Sequence, residues 1–172
     1  MIKKIIIGLI LIISSLLCVS QNLVPNNSFE DTLSCPTGVA QVYKAPPWFS
    51  PTNASPDYFN KCVEVMTSPW SVDIPQNAIG YQESKTGNAY VGFSAYQTVN
   101  GEEFREYVEC KLLDSLKAGK KYCVEFYVSL SDSSKGATKN IGLYFSFDSL
   151  LQTQPTWQNL PVIPQIENDS FL

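Results

Sequence analysis

The 172-residue chain contains no histidine. That absence removes the general base of a Ser-His-Asp triad and the imidazole ligands of most zinc centres. No nucleophile elbow and no zinc-ligand spacing takes their place. Charge is also scarce, at 16% of residues, and it leans acidic, with 12 lysines and arginines against 16 carboxylates. Scattered lysines in an acidic chain leave no electrostatic footprint for nucleic acid. No segment carries a convincing helical period.

Long hydrophobic runs are confined to the start. "MIKKIIIGLILIISSLLCVS" sets Lys3 and Lys4 before an apolar run that ends at the small residue Ser20. This is the layout of a secretory signal peptide over 1–20, cleaved after Ser20. The run of about 14 residues is short of the roughly 20 that span a bilayer, so no membrane insertion is expected after cleavage. Acylation of Cys18 is disfavoured because Leu17 is bulky where a small residue is expected. Removing the leader leaves ten basic against sixteen acidic residues, a net charge of −6. The remainder, 21–172, suits one domain with a real core. Its wealth of aromatics (nine Phe, nine Tyr and three Trp in the chain) argues against disorder.

Export implies an oxidising compartment, so Cys35, Cys62, Cys110 and Cys123 are potential disulfide partners. Cys35 and Cys62 both lie in Pro/Ser/Asn-rich loop sequence, and a bridge between them closes a loop of about 27 residues, worth roughly 3.5 kcal/mol. Cys110 and Cys123 fall in opposite phases of two strand patterns, which predicts that both are free.

From Asn88 onward the apolar residues alternate with period two, the mark of half-buried strands. "NAYVGFSAY" sets Ala89, Val91, Phe93 and Ala95 on one face. "REYVECKLL" predicts burial of Val108, Cys110 and Leu112. "KYCVEFYVSL" predicts burial of Tyr122, Val124, Phe126 and Val128, with Cys123, Glu125 and Tyr127 facing out. "NIGLYFSF" predicts burial of Ile141, Leu143, Phe145 and Phe147. Four amphipathic strands separated by turn-rich pieces make an antiparallel all-β domain. The segment from Leu33 to Thr86 is instead crowded with proline and aromatics, a long irregular stretch that a Cys35–Cys62 bridge would pin.

The pieces "NLVPNNSFED", "PPWFSPTNASPDYFNKC", "GYQESKTGNAYVGF", "REYVECKL" and "AGKKYCVEFYVSLSDSS…NIGLYFS" together resemble the N-terminal β-sandwich of exported bacterial surface proteins. These often continue into an OmpA-like peptidoglycan-binding domain or a gliding-motility/type IX sorting domain. Within them, "NSFE", "TGNAY" and "AGKKYCVEF" are similar to jelly-roll carbohydrate-binding modules of the galactose-binding-like superfamily. The resemblance implies a jelly-roll antiparallel β-sandwich on the bacterial cell surface, at the outer membrane or outside the cell. It also implies a first strand that carries Phe29 into the core. "TQPTWQNLPVIPQIENDSFL" holds no closing strand, so the chain is read as a fragment missing its C-terminal strands, with further domains to follow.

By the same resemblance, a structural calcium would be held by Glu30 with the backbone of Thr86 and Asn88, beside the oxygen-rich Asn26, Asn27 and Asp31. The competing reading has Asn26–Ser28 as a turn, Phe29 as a core plug and Glu30 as a solvated side chain. For a glycan or cell-envelope polysaccharide, Trp70 is the platform on which a sugar ring would stack, with Tyr81, Gln82, Glu83 and Tyr96 as rim residues. Packing within loops competes for Trp70 and Tyr96, and Trp48 reads as core. Asp57, Glu102, Glu103 and Glu106 could supply the carboxylate pair of a glycosidase. Glu102 and Glu103 read better as turn residues, however, and Arg105 as a surface ion-pair partner. The expectation is therefore a non-enzymatic, carbohydrate-binding-like module, with a structural spacer or adhesion domain as the alternative.

Overall fold

The computed structural model describes residues 21–64, 69–139, 141–150, 160 and 162–167. The leader 1–20 and residues 65–68 before Trp70 lie outside the described residues. Among those described, the one helical element is a 3-10 turn at Val42–Lys44, and every strand pairing is antiparallel. The chain is all-β, built from short two-stranded ladders.

The central ladder joins β1 (Asp57–Asn60) to a later strand at Ala89–Gly92, with Tyr58 opposite Val91 and Phe59 opposite Tyr90. Between them β2 (Gln76–Asn77) and β3 (Gly80–Tyr81) form a tight hairpin, which makes the Ala89–Gly92 strand β4. The hairpin of β5 (Gln97–Val99) and β6 (Glu102–Phe104) follows, turned by Asn100 and Gly101 at φ of 53° and 86°. Finally β7 (Gly142–Leu143) pairs with β8 (Ile166–Glu167).

Successive side chains of a strand point to opposite faces, so β1 serves two cores at once. Phe59 packs with Val63, Val72 and Ile74, against Val39, Ile79 and Tyr90; Tyr58 packs with Ala45 and Ala89, against Phe29 and Val91. The Phe59 and Tyr90 rings stack with centroids 5.0 Å apart. Tyr58 and Phe59 are both fully buried, and the Tyr58 hydroxyl donates to the Phe29 carbonyl at 2.8 Å while accepting from the Asn60 amide at 2.6 Å. Burying a tyrosine hydroxyl without such partners would cost about 1–3 kcal/mol.

The Cys35–Cys62 disulfide forms as expected, with its Cα atoms 5.7 Å apart, and ties the loop before Val42 to the end of β1. Cys110, half-buried, and Cys123, exposed, are free thiols. Burial and the neighbouring Glu109 charge push the Cys110 thiol up to about 11, which keeps it protonated and unreactive.

Several expected strands take another form. The stretch containing "NSFE" is a succession of turns, with Asn26 and Phe29 at positive φ of 43° and 62°. Asn26 explains it. Its amide donates to the carbonyls of Asp31 (2.9 Å) and Pro46 (2.8 Å), and its side-chain oxygen accepts the Asp31 N–H at 3.0 Å. A side chain that satisfies local backbone in this way replaces strand pairing. Phe29 still reaches the core edge, and Trp48, half-buried, packs on it at 5.0 Å and donates its indole N–H to the Asn26 carbonyl at 2.9 Å.

In "REYVECKLL" only Glu109 pairs, in a single bridge to Phe49; Val108, Cys110 and Leu112 are half-buried. "KYCVEFYVSL" belongs to no ladder among the described residues, and Tyr122, Val124, Phe126 and Val128 are exposed rather than buried. In "NIGLYFSF" Leu143 pairs, but a bend closed by Ser146 on the Asp148 carbonyl turns Phe147 fully into solvent. Alternation says which side chains share a face; burial needs a second layer over that face, and none of the described elements supplies one.

Candidate functional site

Three constellations of polar and aromatic side chains stand out. The first joins the two ends of the predicted metal set. Ser84 donates to the Gly87 carbonyl at 2.7 Å, and Gly87 adopts φ +66°, folding 84–88 into a tight turn. The Glu30 carboxylate lies on that turn and accepts the Asn88 N–H at 2.8 Å. A Cβ on Gly87 would collide with the Glu30 carboxylate, so the glycine is what lets the acid approach. Glu30 and Asn88 are thus brought together, with Thr86 adjacent in the chain. Asn88 faces the acid through its N–H, while its carbonyl accepts the Lys61 N–H at 3.0 Å. Among the described residues no group of three or more His, Cys, Asp or Glu side chains is arranged to hold a metal.

The second constellation is aromatic. Tyr81, 58% exposed, stands on β3 opposite Gln76, and its hydroxyl donates to Glu83 at 3.3 Å. The Gln82 amide donates to the Glu83 carbonyl at 2.7 Å, and Glu83 pairs with Lys61 at 3.5 Å. Tyr81, Gln82 and Glu83 therefore form one surface group. The backbone of β3 is held from the other side by a later turn. Asp132 accepts the Tyr81 N–H at 2.8 Å, and the Ser131 hydroxyl and the Ser133 N–H both donate to the Ile79 carbonyl. Just before that turn, Tyr127 lies under the Lys85 ammonium, 4.3 Å from its ring centre.

Trp70 and Tyr96 are exposed as well, at 63% and 52%. Tyr96 belongs to the separate β5–β6 hairpin, where the Arg105 guanidinium covers its ring at 5.2 Å and pairs with Glu103 at 3.7 Å. Lys61, Lys85, Tyr127 and Asp132 are the neighbours that sequence reading did not assign. Only Tyr127 carried a signal, its outward phase in "KYCVEFYVSL".

The third constellation is a buried acid. Glu106 accepts the Ser55 N–H at 3.0 Å, the Ser55 hydroxyl at 3.3 Å and the Ser94 N–H at 2.7 Å. Both of its oxygens are committed to tying the loop before β1 to the chain after β4. Nearby, Asp57 accepts the Ala40 N–H at 2.6 Å. Burial, with the Glu106 charge adding to it and the Ala40 bond opposing, raises the Asp57 carboxyl from 3.8 to about 6. Two carboxylates so engaged by main-chain donors act as structural clamps.

Comparison with protein-family models, curated proteins and solved structures finds no match to this chain.

Proposed function

We propose that this chain is a non-catalytic, carbohydrate-binding-like module of an exported bacterial cell-surface protein, built on a jelly-roll frame of the galactose-binding-like kind. The observation that carries the reading is the Tyr81–Gln82–Glu83 group: an exposed aromatic plane flanked by an amide and a carboxylate, on a hairpin held rigid by Asp132 and Ser131. A sugar offers an apolar ring face and a fringe of hydroxyls, which such a surface matches. Trp70 is a further exposed ring, whereas the Tyr96 ring is covered by Arg105 on the separate β5–β6 hairpin and adds nothing to this surface. The disulfide fits export into an oxidising compartment.

Calcium enters the same reading as a structural ion, taken by the Glu30 carboxylate with backbone oxygen from Thr86; of Asn88, it is the N–H that faces the acid, and its carbonyl is bonded to the Lys61 N–H. What supports it is the carboxylate seated on the 84–88 turn. A thermal melt in calcium and again in chelator tests it: a higher melting temperature with calcium, absent in Glu30→Gln, is expected, and coincident melts would refute it.

The test of the main reading is a screen of the secreted chain on immobilised cell-envelope polysaccharides and a glycan array, repeated with Tyr81→Ala. An aromatic stacking contact is worth about 0.5–1.5 kcal/mol beyond the area it buries, so a binder should weaken by roughly two- to tenfold or more. Absence of any bound glycan would favour the alternative, a spacer or adhesion domain without a glycan site.

A further inference from the structure

The stretch from Lys120 to Asp132 has the alternating pattern of a strand and, among the described residues, no strand paired to it on either side. Turns bound it at both ends, one at Lys117–Lys120 with Gly119 at φ +74°, the other at Asp132–Ser133. Between them residues 121–130 form no helix, turn, bend or ladder, and among the described residues their backbone N–H and C=O groups make no hydrogen bond. The side chains that alternate along one face, Tyr122, Val124, Phe126, Val128 and Leu130, are all apolar or aromatic and 39% to 43% exposed. An unpaired run of this length with alternating apolar side chains is a template for another strand.

The sequence of the edge says which strand fits. It is complementary to itself when run antiparallel about its midpoint, Phe126. Tyr122 then faces Leu130, Val124 faces Val128, and Phe126 faces its own copy, so every apolar residue on that face meets another. On the other face Cys123 meets Ser129 and Glu125 meets Tyr127, the same acid and phenol that already bond within one chain. At the ends, Lys120 of each copy meets Asp132 of the other. Asp132 spends one oxygen on the Tyr81 N–H, and its second can take the ammonium. A register centred on Cys123 would set Lys120 against Phe126 and run into the Gly119 turn after three residues on each side.

We propose that residues 120–132 are a self-pairing strand, through which two copies of this chain join about a two-fold axis in one antiparallel ladder. Such an interface is isologous, with the same surface used by both partners, and closes at the dimer. It satisfies, in each copy, the backbone groups on the side that meets the partner and merges two half-exposed apolar stripes into one.

The test is sedimentation equilibrium of the chain as secreted, together with Ser129→Cys and Phe126→Glu. The native chain should sediment as a dimer, and Phe126→Glu, which sets two carboxylates face to face at the axis, as a folded monomer. In Ser129→Cys each new thiol faces Cys123 of the other copy. Diamide oxidation should then give covalent dimer about a hundredfold faster than in the native chain at micromolar concentration, because facing thiols meet at millimolar effective concentration. A monomeric native chain would overturn the proposal. So would a dimer in which Ser129→Cys crosslinks no faster than native, since the shared strand would then not be this one. Slow amide exchange of 121–130 in a monomer would show the edge covered from within its own chain, which also overturns it.

Discussion

The Glu30 carboxylate accepts the backbone N–H of Asn88, 58 residues later in the chain, at 2.8 Å. The contact latches the opening turn, which positions Phe29 and Trp48, onto the turn that leads into β4. It depends on Gly87 for both space and backbone conformation.

Gly87→Ala should therefore destabilise the domain more than Gly119→Ala does. Both glycines have positive φ, a conformation that costs an L-residue about 1–2 kcal/mol. A Cβ at Gly119 meets nothing within 4 Å, whereas at Gly87 it meets the Glu30 carboxylate. Urea denaturation of the two variants should show an additional loss of about 1 kcal/mol at Gly87, the typical value of a hydrogen bond that must be given up. Equal losses would mean the latch contributes nothing.

Stability should fall as pH rises across the range in which Asp57 ionises. Its carboxyl is raised in the folded chain from 3.8 to about 6, so the folded state holds the proton more tightly than the unfolded one. The stabilisation is fully present below 3.8 and is lost as pH rises through about 6. Asp57→Asn retains an oxygen for the Ala40 N–H and removes the titration. Thermal melts at about pH 5 and about pH 7.5 should differ less for the variant than for the native chain, with the variant melting higher at the upper pH.

Removing the Cys35–Cys62 bridge by a double serine substitution should cost roughly 3.5 kcal/mol, the entropy of opening a 27-residue loop in the unfolded chain. Guanidinium denaturation measures it. A loss under about 1 kcal/mol would show that the loop closed by the bridge is already restricted when unfolded.

Two phenylalanines give opposite expectations. Phe59, buried between Val72, Ile74 and the Tyr90 ring, should lose about 3–5 kcal/mol on change to Ala. Phe147, fully exposed, should change stability by less than about 0.5 kcal/mol. Similar losses at both positions would mean that Phe147 is covered in solution.

The local features were legible before the fold. Two cysteines in loop-like sequence read as the bridge they form, and the period-two pattern at Ala89–Gly92 read as an antiparallel strand, while Trp48, read as core, is half-buried against Phe29. The outward phase of Tyr127 and the surface ion pair of Arg105 were equally plain. Strand phase and side-chain exposure depend on neighbours within a few residues; the bridge closes 27 residues but was marked by the loop composition around both cysteines.

What tertiary structure decided is who meets whom. β1 sits in a proline-rich stretch with no alternation to announce it, and it is a strand because β4 supplies the other half of the ladder. Glu106 looked like one acid among several in "EEFREY"; it is buried because Ser55 and Ser94 bring their N–H groups to it from distant parts of the chain. Conversely, "KYCVEFYVSL" has the best strand pattern in the sequence and pairs with nothing described, because a pattern specifies the face and not the partner. A carboxylate goes inside only where donors converge, and an apolar face is buried only where another surface arrives, so both outcomes are properties of the assembled chain.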